Sequence, residues 1–217
     1  MEKLAMMSAL SGSRYNTPKG SIGARMGRKA IFLDRDGVIN EDLDWIASPE
    51  DLKLYPFAAK AIARANEAGF LVIVVTNQSV VARKLCTVED LERIHAKMVE
   101  ELAGQGARVD AIFFCPHHPD YGDGELCGCR KPEAGLVDQA VREFGIEPAE
   151  SYMIGDKTSD IQTGINAGMH TILVRTGKGG KDGLFRVKAE WVEDNLLGAV
   201  KRILREETIV YKKKVAD

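Results

Sequence analysis

The sequence predicts an α/β fold, an open parallel sheet with helices on both faces, and three observations predict it. Short apolar runs recur without the in-and-out alternation of a half-exposed strand, which is how strands buried on both sides read. Segments with apolar residues at helical spacing separate these runs. Three of the runs end in polar residues, at Asp34, at Thr76-Asn77 and at Asp156. With 217 residues, 45% of them hydrophobic, the chain is long enough for one well-buried core, and one domain is expected.

In chain order, residues 1–28 are rich in Gly, Ser and basic side chains and read as a flexible leader. Leu4 to Leu10 is too short, and Lys3 too closely offset by Glu2, for a signal peptide. Lys29 to Asp34 is the first strand. Phe57 to Ala68 is a helix stopped by Gly69, and Phe70 to Asn77 is a fully apolar second strand. Thr87, followed by Glu89 and Asp90, looks like an N-cap with an acidic first turn, opening a helix to about Ala103. Strands follow at Ala111 to Cys115, Ser151 to Asp156 and His170 to Arg175, with a weaker run near Ala189 to Val192. Helices at Leu136 to Phe144 and Asp160 to Ala167 each stop before a glycine. A last helix spans about Leu196 to Glu206, so the domain covers 29–207, and 208–217 reads as a basic tail.

Composition excludes some functions. Thirty basic and 32 acidic residues give a net charge of −2, so no global field favours nucleic acid or an anionic membrane. No apolar stretch approaches the ~20 residues needed to span a bilayer. Four cysteines do not make a disulfide scaffold in a chain of this size, and three of them lie near histidines, which points to a metal in a reducing, cytoplasmic setting.

The carboxyl ends of parallel strands form the ligand crevice of an open sheet, so residues distant in sequence meet there. Asp34 and Asp36 stand two apart and face one side if the chain stays extended, and Gly37 permits a sharp departure. Asp156 adds a third carboxylate. Three clustered acids need a cation, and oxygen donors suit Mg²⁺. Thr76 and Asn77 offer a hydroxyl and an amide to phosphate oxygens, and Lys131 offers a compact positive charge. Taken singly, these residues have ordinary readings: strand-end Asp and Thr-Asn form turns, an Arg-Lys pair is solvated, and Asp42 and Asp160 are surface acids.

A second constellation is Cys115-Pro-His117-His118 followed by Cys127-Gly-Cys129. Three thiolates and one imidazole make a closed tetrahedral set suited to structural zinc. His117 is the better ligand, because Cys-x-His lets alternate side chains face one ion. The ion would staple the polar loop and position Lys131 directly after it. Cys86 reads as an ordinary small side chain. The alternative is free thiols and loop histidines.

Asp-x-Asp-Gly, Thr-Asn, a Lys and Gly-Asp-x-x-x-Asp, in that order, resemble the four motifs of the haloacid dehalogenase superfamily, over residues 29 to 195. The resemblance implies a Rossmann-like sheet with a zinc-stapled loop. It also implies Asp34 as nucleophile and Mg²⁺ ligand, Asp36 as general acid/base and as a ligand through its carbonyl, and Asp156 as third ligand. Thr76 and Lys131 hold the phosphoryl group. Only about 20 residues separate Asp36 from the first helix, so no large cap domain is expected.

The zinc loop running into Arg130-Lys131-Pro132 narrows the resemblance to phosphatases of D-glycero-D-manno-heptose 1,7-bisphosphate, with histidinol-phosphate phosphatases second. That family implies substrate contacts from Asp42, Leu43, Asp44, Trp45, Thr76, Asn77, Gln78, Ser79, Arg130, Lys131 and Lys157, with Arg130 and Lys157 gripping the phosphate that is not removed. The chain departs from the family pattern at Val80 and Lys84, which replace glycines, and at Asp44-Trp45, which replaces Gly-Tyr. A phosphatase of another small metabolite and a catalytically silent zinc module are the alternatives. A monomer is the expected state.

Overall fold

The computed structural model describes residues 27–122 and 127–216, with side chains as far as residue 212. All but the last two residues of the expected leader lie outside the described residues. Six strands form one sheet: β1 (Ala30–Leu33), β2 (Leu71–Asn77), β3 (Ala111–Cys115), β4 (Tyr152–Gly155), β5 (His170–Val174) and β6 (Trp191–Glu193). Their order is β3-β2-β1-β4-β5-β6, and every pairing is parallel. Each expected strand is present within about two residues of its expected ends.

Alternate residues of the central strands feed two different cores, which is why they read as unbroken apolar runs. Ile31, Leu33, Val72 and Val74 face one layer, made with α1 (Ala58–Glu67), α2 (Val88–Ala103) and α5 (Leu196–Ala216). Ala30, Phe32, Ile73 and Val75 face the other, where α3 (Gly135–Phe144) contributes Leu136, Val137 and Ala140. The remaining helix, α4 (Thr158–Asn166), packs on β4 and β5.

Helix ends follow local chemistry. Thr87 Oγ1 accepts the Asp90 N–H at 3.1 Å while the Asp90 carboxylate accepts the Thr87 N–H at 2.9 Å, a reciprocal cap on α2. α3 ends at Gly145 in the left-handed conformation. Two helix boundaries differ from expectation. α5 runs on to Ala216, so 208–216 continue a helix rather than form a tail; Arg202 pairs with Glu206 one turn on, and the lysines fall in the last turn, where the helix dipole favours cations. α4 begins at Thr158, before Asp160, because the Asp160 carboxylate caps it by accepting the Lys157 N–H at 3.0 Å.

The chain runs from β1 outward to β2 and β3, then returns to β4 on the other side of β1. The topological switch point, and with it the crevice, therefore lies at the carboxyl ends of β1 and β4.

Candidate active site

Asp34 leaves β1 and Asp156 leaves β4, so two neighbouring strands deliver two buried carboxylates to the switch point. Asp160, from the first turn of α4, joins them, and ligand oxygens of all three lie within 4.8 Å of one another. Lys131 Nζ sits in the same cluster, 3.0 Å from Asp34 Oδ1 and 2.6 Å from Asp160 Oδ1, and donates to the Val75 carbonyl at 2.9 Å. Burial alone would lower the Lys131 pKa, but the charges of Asp160 and Asp34 hold it above its ordinary value. Asp160 is thus no surface acid: it is fully buried against the lysine. The signal was its place four residues after Asp156, which puts it in the first turn of α4 and facing the same crevice.

Asp156 has the properties of a cation ligand. Its Oδ1 is buried with no hydrogen-bond partner among the described residues, while Oδ2 accepts the Lys178 N–H at 2.7 Å. Burial pushes its pKa up to about 8; the charge of Lys157 opposes this, and Asp34 and Asp160 add to it. The backbone closes tightly on this carboxylate. Gly37 and Gly177 both have positive φ, and a Cβ on either would come within 2.5 Å of Asp156 Oδ2. An all-oxygen set with an orphaned oxygen suits a hard divalent cation such as Mg²⁺.

The Asp36 carboxylate points elsewhere. Arg35 Nε and Nη2 donate to it at 3.0 and 2.9 Å, Asn40 Nδ2 at 2.9 Å and Gln78 Nε2 at 2.8 Å. Burial would raise its pKa, but the Arg35 charge and these donors hold it below the usual carboxylate range. The Asp36 carbonyl accepts no hydrogen bond among the described residues, which leaves it available as a ligand. Gln78 also donates to Thr76 Oγ1 at 2.9 Å, linking the two residues expected to handle the phosphoryl group. Asn77 uses its amide on Lys131: Oδ1 accepts the Lys131 N–H at 3.0 Å and Nδ2 donates to the Lys131 carbonyl at 3.1 Å.

Sequence reasoning missed Arg35 and His95. Arg35 is fully buried, and its Nη1 lies 3.3 Å from His95 Nε2. Burial and the Arg35 charge lower the His95 pKa to about 3, so the ring is a neutral acceptor for the guanidinium. Arginine between two acids reads as solvated. His95 was visible only as one member of the buried face of α2, with Leu91, Ile94 and Met98.

Lys157 Nζ lies 3.7 Å from Asp42 Oδ2; burial would lower its pKa, but the charges of Asp34, Asp156, Asp160 and Asp42 raise it. Lys178 Nζ pairs with Asp44 at 2.8 Å and with Asp42 at 3.5 Å. Leu43 and Trp45 are exposed.

The thiolate cluster lies after β3. Cys115, His117, Cys127 and Cys129 bring their sulfurs and Nδ1 within 4.8 Å of one another. Cys115 Sγ is 3.4 Å from Cys127 Sγ and 3.8 Å from His117 Nδ1, and Cys129 Sγ is 3.5 Å from Nδ1. The contact between Cys115 and Cys129 lowers the Cys115 pKa to about 5 and raises that of Cys129, so the pair favours a single thiolate. The donor chemistry fits zinc. His118 stands outside the set and packs on Tyr121. Residues 123–126 of the loop lie outside the described residues.

Comparison with known proteins agrees with this geometry. A family model for HAD-hydrolase-like proteins matches residues 128–199. A D-glycero-beta-D-manno-heptose-1,7-bisphosphate 7-phosphatase of Haemophilus ducreyi is 40% identical over 158 residues, covering 70% of this chain and 86% of that protein. One from Bordetella bronchiseptica is 43% identical over 154 residues, covering 70% and 84%. The chain belongs to this heptose-bisphosphate phosphatase family of haloacid-dehalogenase-like hydrolases. The crystal structure of a D,D-heptose 1,7-bisphosphate phosphatase from B. bronchiseptica, complexed with magnesium and phosphate, matches with a TM-score of 0.73 at 39% identity, covering 82% of this chain and 99% of that one. Two departures from the family pattern keep the backbone of the residue they replace. Asp44 (φ 62°) and Lys84 (φ 58°), both where the pattern reads Gly, are the only non-glycine residues with positive φ among those described. Val80 shows no such strain and is simply buried.

Proposed function

We propose that the chain is a Mg²⁺-dependent phosphatase that hydrolyses D-glycero-D-manno-heptose 1,7-bisphosphate to heptose 1-phosphate and phosphate. The observation that carries the chemistry is the Asp34–Lys131–Asp160 contact beside the orphaned Asp156 oxygen. It sets a nucleophile, a cation and a place for a metal side by side. Family membership supplies the sugar.

Asp34 attacks phosphorus, the ester bond breaks, and the departing sugar oxygen takes a proton from Asp36, whose carboxyl must first turn from Arg35, Asn40 and Gln78 toward the substrate and take up that proton. Asp36, now ionised, accepts a proton from water, which attacks the aspartyl-phosphate and frees phosphate. Arg35, Asn40 and Gln78 stabilise the ionised form of Asp36, the form the second step needs. Thr76 and Lys131 hold the phosphoryl oxygens. Magnesium on Asp34, the Asp36 carbonyl and Asp156 would neutralise the carboxylates and draw charge from the phosphoryl oxygens. Asp160 positions Lys131. Lys157, set among Asp34, Asp156, Asp160 and Asp42, serves the reacting end, whereas Arg130, whose Nη1 donates to the His117 carbonyl at 2.9 Å, belongs to the rim. There Asp42 to Trp45, Asn77 to Ser79 and Arg130 would meet the sugar and its retained phosphate. Zinc on Cys115, His117, Cys127 and Cys129 would fasten the loop that carries Arg130. We assign the enzyme to the cytoplasm, where such thiols stay reduced, and expect a monomer.

The test is phosphate release with Mg²⁺ from heptose 1,7-bisphosphate in both anomers, beside histidinol phosphate and an aryl phosphate. A preference of at least about 100-fold in kcat/KM for a heptose anomer is expected. Preference for histidinol phosphate would replace the substrate and keep the mechanism. No turnover of any would leave a silent zinc module.

A further inference from the structure

Arg83 stands outside every role assigned above. It sits on the turn after β2, where its N–H donates to the Ser79 carbonyl at 3.0 Å. Its guanidinium carbon lies 3.8 Å from the centre of the Tyr121 ring and 5.5 Å from that of Trp45. Those aromatics come from the segments following β3 and β1, so three loops of the catalytic edge meet at one cation. Ring faces stabilise a guanidinium but take up none of its in-plane N–H groups. Nε is buried without a partner, and no nitrogen of this side chain has a hydrogen-bond acceptor among the described residues. A cation held in place with its donors unmet is short of one thing, an anion.

Its neighbours indicate which anion. Arg130 lies on the next loop, tied by Nη1 to the His117 carbonyl, and His118 packs at 4.9 Å on the same Tyr121. Two arginines next to the loop that ends at Lys131 suit a dianion.

We propose that Arg83, clamped between Trp45 and Tyr121, is a specificity-determining residue that joins Arg130 in binding the phosphate the enzyme does not remove. The inference rests on the bisphosphate reading above. A bidentate guanidinium bond to a phosphate discriminates between a substrate that carries the second phosphate and one that lacks it.

Arg83→Ala and Arg83→Lys should be assayed on heptose 1,7-bisphosphate and on heptose 7-phosphate, with product inhibition by heptose 1-phosphate measured alongside. For Arg83→Ala, the ratio of kcat/KM for bisphosphate over monophosphate should fall by about tenfold or more, through KM rather than kcat. The inhibition constant of heptose 1-phosphate should rise to match, and Arg83→Lys should recover part of the loss. An unchanged ratio, including equal losses on both substrates, would reduce Arg83 to a brace for the rim and overturn the proposal. Wild-type enzyme that does not itself favour the bisphosphate would overturn the substrate reading, and this inference with it.

Discussion

The reaction centre and its rim are held together in different ways. At the centre, buried groups hold one another, Lys131 with Asp34, Asp160 and the Val75 carbonyl, and Asp36 with Arg35, Asn40 and Gln78, while Asp156 keeps one oxygen without a partner among the described residues. At the rim, Lys178 pairs with an exposed Asp44, Arg83 stacks between two half-open rings, and four candidate ligands gather at the loop after β3. Strand ends fix the centre, so its geometry survives the loss of any surface contact. Exposed ion pairs contribute only ~0–1 kcal/mol each, so a metal on Cys115, His117, Cys127 and Cys129 would be the principal fastening of the rim.

Removing the nucleophile is the sharpest test of the centre. Asp34→Asn should lower kcat by about 10⁴-fold or more, while far-UV dichroism and the thermal midpoint stay close to wild type, because Lys131 keeps Asp160. Steady-state phosphate release measures the first and thermal melts the second. A variant retaining a tenth of the activity would remove Asp34 from the mechanism.

Stripping zinc probes the rim. With a zinc chelator and Mg²⁺ restored, KM should rise about tenfold, and protease should cut between Cys115 and Cys129 first. The turnover number should fall less, because Asn77 and the Val75 carbonyl hold Lys131 independently of the loop. Cooperative loss of the whole fold on chelation would show that the metal supports the centre as well.

The same division governs what could be read from sequence. Asp34, Thr76, Lys131 and Asp156 were legible because each follows a recognisable apolar run or motif, and the cysteine spacing gave the ligand set. Asp160 was legible as the last acid of Gly-Asp-x-x-x-Asp, though its pairing with Lys131 was not; Arg35 and His95 were not, since burial of a charged side chain depends on which elements cover it, and that is a property of the tertiary structure. Arg83 was missed for a related reason: Trp45 and Tyr121 come to it from two other loops. The length of α5 was underread because its later turns bury little.

His95 sharpens the comparison by a smaller amount. Its pKa is lowered to about 3 from an unfolded value near 6.5, so between those values the unfolded chain binds a proton that the folded chain refuses. Its contribution is therefore full above about pH 6.5 and lost progressively as pH falls towards 3, at up to ~1.4 kcal/mol per pH unit. Arg35 disfavours the imidazolium and Asp36 partly offsets it. His95→Gln keeps a neutral acceptor for Arg35 and carries no titrating ring. Urea midpoints at pH 7.5 and pH 4.5 should differ less in the variant than in wild type. Equal differences would mean that the ring protonates in place.

The smallest expected effect lies at Lys84, on the exposed turn beyond Arg83. Its φ of 58° is a left-handed conformation that costs a residue with a Cβ ~1–2 kcal/mol, and its side chain makes no hydrogen bond or ion pair among the described residues to offset that. Glycine removes the strain but adds ~0.5–1 kcal/mol of unfolded-chain entropy, so Lys84→Gly should stabilise the fold by about 0.5–1 kcal/mol. Asp44 shares the strain but is tied to Lys178 at 2.8 Å, so Asp44→Gly loses an ion pair as it relieves the backbone and should come out nearer zero. Paired urea titrations of the two variants measure this difference directly. A larger gain at position 44 than at 84 would mean that the Asp44–Lys178 pair adds nothing in solution.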